Sequence, residues 1–270
     1  MNATEHLSVE HGTDGVCRIT LDRPEAKHAL TLAMRDGIVD AIRAGRADSS
    51  VRAFLIRATG DAFCAGMDLS ASTVARAGTP GFDPRTTAEA LRVGVQTFIR
   101  ELWELDKPTV AAVSGAAVGP GAHLALACDF VLVSPETKFL WSFHKWGLVV
   151  DAGGAYLLPR LVGLPRAKAM VMLGESVSGT EAVSAGLAYQ CLDDRDALAE
   201  AADALAVRLA AGPTRAFGLS KRLLNASFET DLSASLELEC AYQSLATASA
   251  DLAEGMTAFR EKRAAKFDGR

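Results

Sequence analysis

TVAAVSGAAVGPGAHLALAC, residues 109–128, is the most apolar part of the chain. It is long enough to raise a membrane span, which takes about 20 apolar residues. Ser114–Gly115 and the run Gly119–Pro120–Gly121 interrupt it, however. Glycine and proline so placed punctuate regular structure, so the stretch reads as a short strand, a tight glycine turn and a buried helix. No membrane association is expected.

The same unit recurs. GVCRITL (15–21), VRAFLIRA (51–58), TVAAVSG (109–115) and FVLVS (130–134) are β-rich runs followed by turn residues and, in most cases, by helical spacing. LTLAMRDGIVDAIRAG (30–45) and TAEALRVGVQTFIRELWEL (87–105) carry apolar residues every three to four positions. This alternation predicts an α/β fold. Beyond about Leu192 the strands stop, and helices are expected over 196–212, 214–228 and 231–264. The chain thus divides into an α/β core, 1–195, and a helical C-terminal region, 196–270. The turn-rich stretch SASTVARAGTPGFDPRTT (70–87) is a candidate lid or pocket wall.

Composition narrows the function. The 270 residues are 49% hydrophobic, enough to bury a full core, and carry 28 basic and 33 acidic side chains for a net charge of −5. The basic residues are scattered, so no footprint for nucleic acid appears. The opening MNATEHLSVEHGTDG is polar and does not resemble an export signal, which points to the cytoplasm. Cys17, Cys64, Cys128, Cys191 and Cys240 show no CxxC or metal-ligand spacing; they read as small core residues. No metal motif is present. GPGAHL lacks the third glycine of a dinucleotide fingerprint, and there is no GxSxG elbow.

Two segments run from strand through glycine turn to helix. In IRATGDAFCAGMDLS (56–70), Gly66 lets the Met67 amide point out of the sheet ladder. In VSGAAVGPGAHLALACD (113–129), Gly119 and Gly121 flank a helix start, where amides are left unsatisfied. Facing each other, two such turns make an oxyanion hole; taken singly, each is an ordinary tight turn.

Asp151 stands in WGLVVDAGGAYLLPRLVG (146–163), between three apolar residues and a glycine pair. An acid there is costly unless it is paired, hydrogen-bonded or raised in pKa. It is either the N-cap of a helix starting near Gly153 or a functional carboxylate.

Five stretches resemble, in order, the signatures of the crotonase, or enoyl-CoA hydratase/isomerase, family. They are LDRPEAKHAL (21–30), GDAFCAGMDL (60–69), KPTVAAVSGAAVGPGAHLALACDFVLVS (107–134), GLVVDAGGAYLLPRLVGLPRAKAMVMLGESVSGTEAVSAGLA (147–188) and EGMTAFREKR (254–263). The resemblance implies a spiral of ββα units with a helical C-terminal trimerisation region, an acyl-CoA thioester as ligand, and a homotrimer or dimer of trimers. No separate cofactor is implied, since coenzyme A is part of the substrate. It assigns the thioester oxygen to two backbone amides, of which the first is that of Met67. The second falls on Pro120, which has no N–H; Gly121 or a water is then the substitute, or the protein is a slow catalyst.

The two glutamates that the family's hydratases use fall on His123 and Phe143, which makes ordinary two-glutamate hydration unexpected. Asp151 matches the position of a single catalytic aspartate in a subset of the family, and its surroundings look closest to isomerases such as those of 1,2-epoxyphenylacetyl-CoA. The implied activity is isomerisation of an enoyl- or aryl-acetyl-CoA, with Asp151 moving a proton between carbons. A divergent hydratase, hydrolase or dehalogenase using Asp151 with His123 is one alternative, and a non-catalytic acyl-CoA binding protein is another. His123 is either a second proton carrier, an orienter of water or a core histidine, and His144 is a packing or orienting residue. His28 stands where asparagine is more usual. The resemblance further assigns substrate contacts to Lys27, Ala29, Ala65, Gly66, Asp68, Leu69, Gly119, Phe143, His144, Phe259 and Lys262.

Overall fold

The computed structural model describes residues 5–71 and 77–270; residues 72–76 of the candidate lid lie outside them. A six-stranded sheet is built from β1 (Leu7–His11), β2 (Val16–Leu21), β3 (Ala53–Ala58), β4 (Thr109–Val113), β6 (Phe130–Val133) and β9 (Gln190–Cys191) in that spatial order. Only β1 runs antiparallel to its neighbour, with Leu7 opposite Leu21 and His11 opposite Cys17. The other pairings are parallel. A smaller three-stranded sheet joins β5 (Ala116–Val118), β7 (Lys138–Leu140) and β8 (Val177–Ser178).

The interior strands are apolar on both faces because both faces are covered. Side chains alternate along a strand, so Phe54 and Ile56 of β3 enter one cluster, with Met34, Ile38 and Ile42 of α1 (Leu32–Ala47). Ala53 and Leu55 enter the other, with Leu198, Leu205 and Leu209 of α8 (Arg195–Ala210). The first helix of the C-terminal region therefore closes the core of the larger sheet.

Thr31 caps α1: its hydroxyl accepts from the Met34 amide at 3.1 Å. Thr31→Ala is expected to cost about 1 kcal/mol, measurable as a lower denaturant midpoint at unchanged slope.

Several elements differ from the sequence expectation. The helix expected over 87–105 is two, α2 (Pro84–Val93) and α3 (Val95–Trp103), because Gly94 at φ −104°, ψ −112° leaves helical geometry. The segment 231–264 is likewise divided into α10 (Leu232–Thr247) and α11 (Ala250–Glu261), where Ser249 caps the second by accepting from the Leu252 amide. The polar opening contains β1, whose outward residues mask the strand. Cys17, Cys64 and Cys128 are buried, but Cys191 is only partly so, and Cys240 is exposed and not a core residue.

α9 (Thr214–Ala226) is tied to the core by Lys221. Its ammonium donates to Leu102 O at 2.9 Å and to Asp129 Oδ2 at 3.0 Å. α10, by contrast, has no buried residue. Among the described residues no helix is long and apolar enough to cross a membrane.

Candidate active site

The first glycine turn is held as an extra strand between two others. Leu30 N–H donates to Gly66 O at 2.7 Å and Asp68 N–H donates to Leu30 O at 2.9 Å. On the far side Phe63 and Cys64 N–H reach Ala116 O, and Val118 N–H returns to Cys64 O at 2.8 Å. Because Leu30 uses the groups on either side of Met67, the Met67 N–H faces away from it and makes no backbone hydrogen bond among the described residues. Gly66 sits at φ +95°, where a Cβ would stand 3.0 Å from Val118 O and 3.5 Å from Pro120 Cδ. The two glycine turns are therefore in contact.

The second turn is anchored by Gly119 N–H to Leu140 O at 2.8 Å. Gly119 has φ +49° and ψ −120°, and Pro120 opens α4 (Pro120–Leu126). Proline suits that first helical position but donates nothing. A Cβ on Gly121 would overlap the backbone oxygen and sulfur of Cys64, so glycine there permits the close approach of the turns. The Gly121 N–H is the next donor along and has no backbone partner among the described residues.

The substrate-contact candidates of the first turn converge. Ala65 N–H donates to Lys27 O at 2.9 Å, placing Lys27 and Ala29 beside Ala65–Leu69. Asp68 is not free: it accepts from Arg23 Nη1 at 2.8 Å and from Ser70, contacts that hold its carboxyl below the usual range, Ser70 most of all. His28 is fully buried, accepting from Arg23 N–H through Nδ1 and meeting Thr59 O through Nε2, and is thus a satisfied structural histidine.

Asp151 does not cap a helix. α5 (Gly154–Val162) has Gly153 at its N-cap with no side-chain hydrogen bond. The acid precedes two left-handed residues, Ala152 at φ +47° and Gly153 at φ +76°. Left-handed backbone is strained for a residue with a side chain, and Ala152 is held in it while buried to 1% exposure. Asp151 itself is half-buried, and its Oδ1 is buried with no hydrogen-bond partner. Burial raises its pKa to about 6, against a smaller opposing hydrogen bond from its own backbone.

Beneath this turn lies His123, fully buried on α4. Trp141, also fully buried, donates its indole N–H to His123 Nε2 at 2.9 Å. Phe143 lies parallel to the imidazole, with centroids 6.2 Å apart, and its ring also meets Gly119. Burial outweighs a contact with the Asp151 backbone carbonyl and drops the His123 pKa to about 3. That burial holds the ring neutral at ordinary pH, and the contact it makes is as acceptor for the Trp141 indole.

Phe143, Gly119 and His123 are thus brought together beside Asp151. His144 is exposed and covers Gly174, a packing position. Phe259 is 83% exposed on α11, and Lys262 ends that helix in the left-handed region. Among the described residues no hydrogen bond or ring contact joins either to the Asp151 cluster. Trp141 and Gly154 escaped sequence reasoning as site residues. Trp141 shows only core burial, and a glycine in a glycine pair gives no sign that an imidazole fills its side-chain space.

A family model for "Enoyl-CoA hydratase/isomerase" matches residues 11–270. The chain belongs to the enoyl-CoA hydratase/isomerase family. It is 37% identical over 266 residues to a 1,2-epoxyphenylacetyl-CoA isomerase of Escherichia coli K12, covering 97% of this chain and 98% of that one. It is 33% identical over 251 residues to a crotonyl-CoA hydratase of Syntrophomonas wolfei, covering 92% of each. An enoyl-CoA hydratase/isomerase from Cupriavidus metallidurans CH34 superposes with a TM-score of 0.91 at 28% identity, over 100% of this chain and 98% of that one. Relatives that span nearly the whole chain thus include both an isomerase and a hydratase.

Proposed function

We propose that the protein is a CoA-thioester isomerase in which Asp151 carries a proton between two carbons of the acyl group. The observation that supports this is a lone, half-buried carboxylate raised to about 6, with one oxygen buried and unpartnered. A general acid–base works best with its pKa near the operating pH. The carboxylate takes a proton from the α- or γ-carbon, the Met67 and Gly121 amides hold the negative oxygen that develops on the thioester, and the protonated Asp151 returns the proton to the other carbon. One C–H bond breaks and one forms, with no net change of atoms.

Water addition fits less well. The positions of the two hydratase glutamates hold His123 and Phe143, so neither of the carboxylates that would hold and activate water is there. Ala29 and Ala65 suit the pantetheine arm and Lys27 beside them the CoA phosphates, with Phe259 and Lys262 meeting the nucleotide end in a neighbouring copy. Trimer or dimer-of-trimers assembly is supported by exposed apolar side chains, among them Trp146, Val149, Met172 and Leu173.

3-Enoyl-CoA thioesters and 1,2-epoxyphenylacetyl-CoA, incubated in 18O-water and separately in D2O, test the reading. Isomerised products of unchanged mass are expected in the first; in the second, deuterium is expected at the reprotonated carbon of the 3-enoyl thioesters, to the extent that the Asp151 carboxyl exchanges with solvent before it returns the proton. Incorporated 18O points to a hydratase or hydrolase, and tight binding without hydrogen exchange points to a binding protein.

A further inference from the structure

Nothing in the proposed proton transfer requires a hydrogen bond between two residues that are both sealed from solvent. Trp141 and His123 nevertheless make one, at 2.9 Å and at 0% exposure on each side. Indole nitrogen is a donor only. His123 Nε2 must therefore be the acceptor, and a neutral imidazole has one N–H, so its proton is on Nδ1. The indole thus dictates which tautomer exists.

The ring is also fixed in space. Phe143 lies parallel to it, and a Cβ on Gly154 would overlap its Cε1 and Nε2. Gly154 in turn donates its N–H to Asp151 O at 2.9 Å, so the ring packs against the turn that bears the acid. His123 is carried on α4, the helix that begins at the second glycine turn. One side chain therefore spans from the helix of the proposed oxyanion site to the turn bearing the acid. Its Nδ1 is buried with no closed hydrogen bond, a state that native structures keep only for a reason.

We propose that Trp141 and His123 are a positioning pair for Asp151: the indole N–H locks the imidazole as its Nδ1–H tautomer, and the locked ring sets the 151–154 turn relative to α4. This rests on Asp151 being the working acid. The imidazole exchanges no proton during turnover; it is a fixed acceptor for the indole and a spacer.

The 15N spectrum of the imidazoles in the wild-type protein tests the tautomer without reference to activity. Nδ1 of His123 is expected to be protonated and Nε2 bare, unchanged on acidification to about pH 4. In Trp141→Phe, which keeps an aromatic ring and removes the donor, the Nε2–H form should appear. kcat should fall on the order of 10- to 100-fold, as small misplacements of catalytic groups do, with KM little changed. His123→Gln retains an acceptor for the indole and should keep more kcat than His123→Leu.

A wild-type His123 protonated on Nε2 overturns the proposal, and needs no variant to fold. So does a switched tautomer with kcat intact. A loss seen only as KM, and only for acyl groups bearing an oxygen, overturns it as well, because the donor then serves substrate. If Asp151→Asn stays active while the tautomer is as stated, the isomerase reading has failed and the tautomer assignment has not.

Discussion

Asp151→Asn is expected to abolish isomerisation and, at the same time, to make the protein more stable at neutral pH. The first effect follows from removing the only proton carrier in the proposed mechanism. General acid–base groups contribute about 10²- to 10⁴-fold, so turnover should fall by at least the lower figure. The second follows from the cause of the raised pKa. Moving a carboxyl from its ordinary 3.8 to about 6 by burial means that the ionised form is disfavoured by about 3 kcal/mol, less what remaining solvent returns.

The native state binds this proton more tightly than the unfolded chain, so its contribution to stability falls as pH rises from about 4 to 6 and stays low above. Asparagine does not ionise, and the variant should gain about 2 kcal/mol at pH 8. The gain should fade between pH 6 and 4. Denaturant titrations at pH 8 and pH 4 check the sign, and a pH profile of kcat/KM in the wild type should rise with a midpoint near 6. Equal stability of both forms at pH 8, or full activity of the variant, contradicts the assignment.

His123 acts in the opposite sense. Its folded-state pKa lies far below its ordinary 6.5, so the unfolded chain takes up a proton that the native state refuses, and stability is lost as pH falls from 6.5 toward 3. Between pH 4 and 6 the two groups offset each other in the wild type. In Asp151→Asn only the histidine contribution remains, and stability should decline more steeply with acid over that interval.

Gly154→Ala is the second large effect. Gly154 lacks a positive φ, so alanine suits its backbone and would ordinarily strengthen a helix start. Here the added Cβ overlaps the His123 ring and Val150. Overfilling a packed core costs about 1–3 kcal/mol, and the only way to relieve it is to displace the imidazole or the turn that carries Asp151. We expect both lower stability and a loss of kcat on the order of 10²-fold, assayed on folded protein below its denaturation midpoint. Gly163→Ala is a contrast with no neighbour within 4 Å; its φ of +76° strains the backbone but leaves the acid untouched.

The parallel strands were legible because they are buried on both faces, which leaves unbroken runs such as AFLI in β3 and TVAAV in β4. The helix expected over 30–45 runs from Leu32 to Ala47, because Thr31 caps it rather than joining it. β1 was not legible, since its outward polar residues look like a tail, and nothing before Gly94 or Ser249 announces that an amphipathic run will divide. Within the site, Asp151 stood out because an acid among valines and glycines demands a reason. Trp141 did not, because indole is at home in any core, and its meeting with His123 joins a strand end to a helix 18 residues away by tertiary packing that no local pattern encodes. The left-handed Ala152 was equally silent, since alanine is the residue least expected there.

The Lys221 ammonium, clasped by a carbonyl and a carboxylate of the core, fixes where the carboxyl-terminal arm can swing. Detaching α9 would leave Leu102 O without its donor and Asp129 with Thr109 in place of a cation, so α9 belongs to the core on which Lys221 seats it.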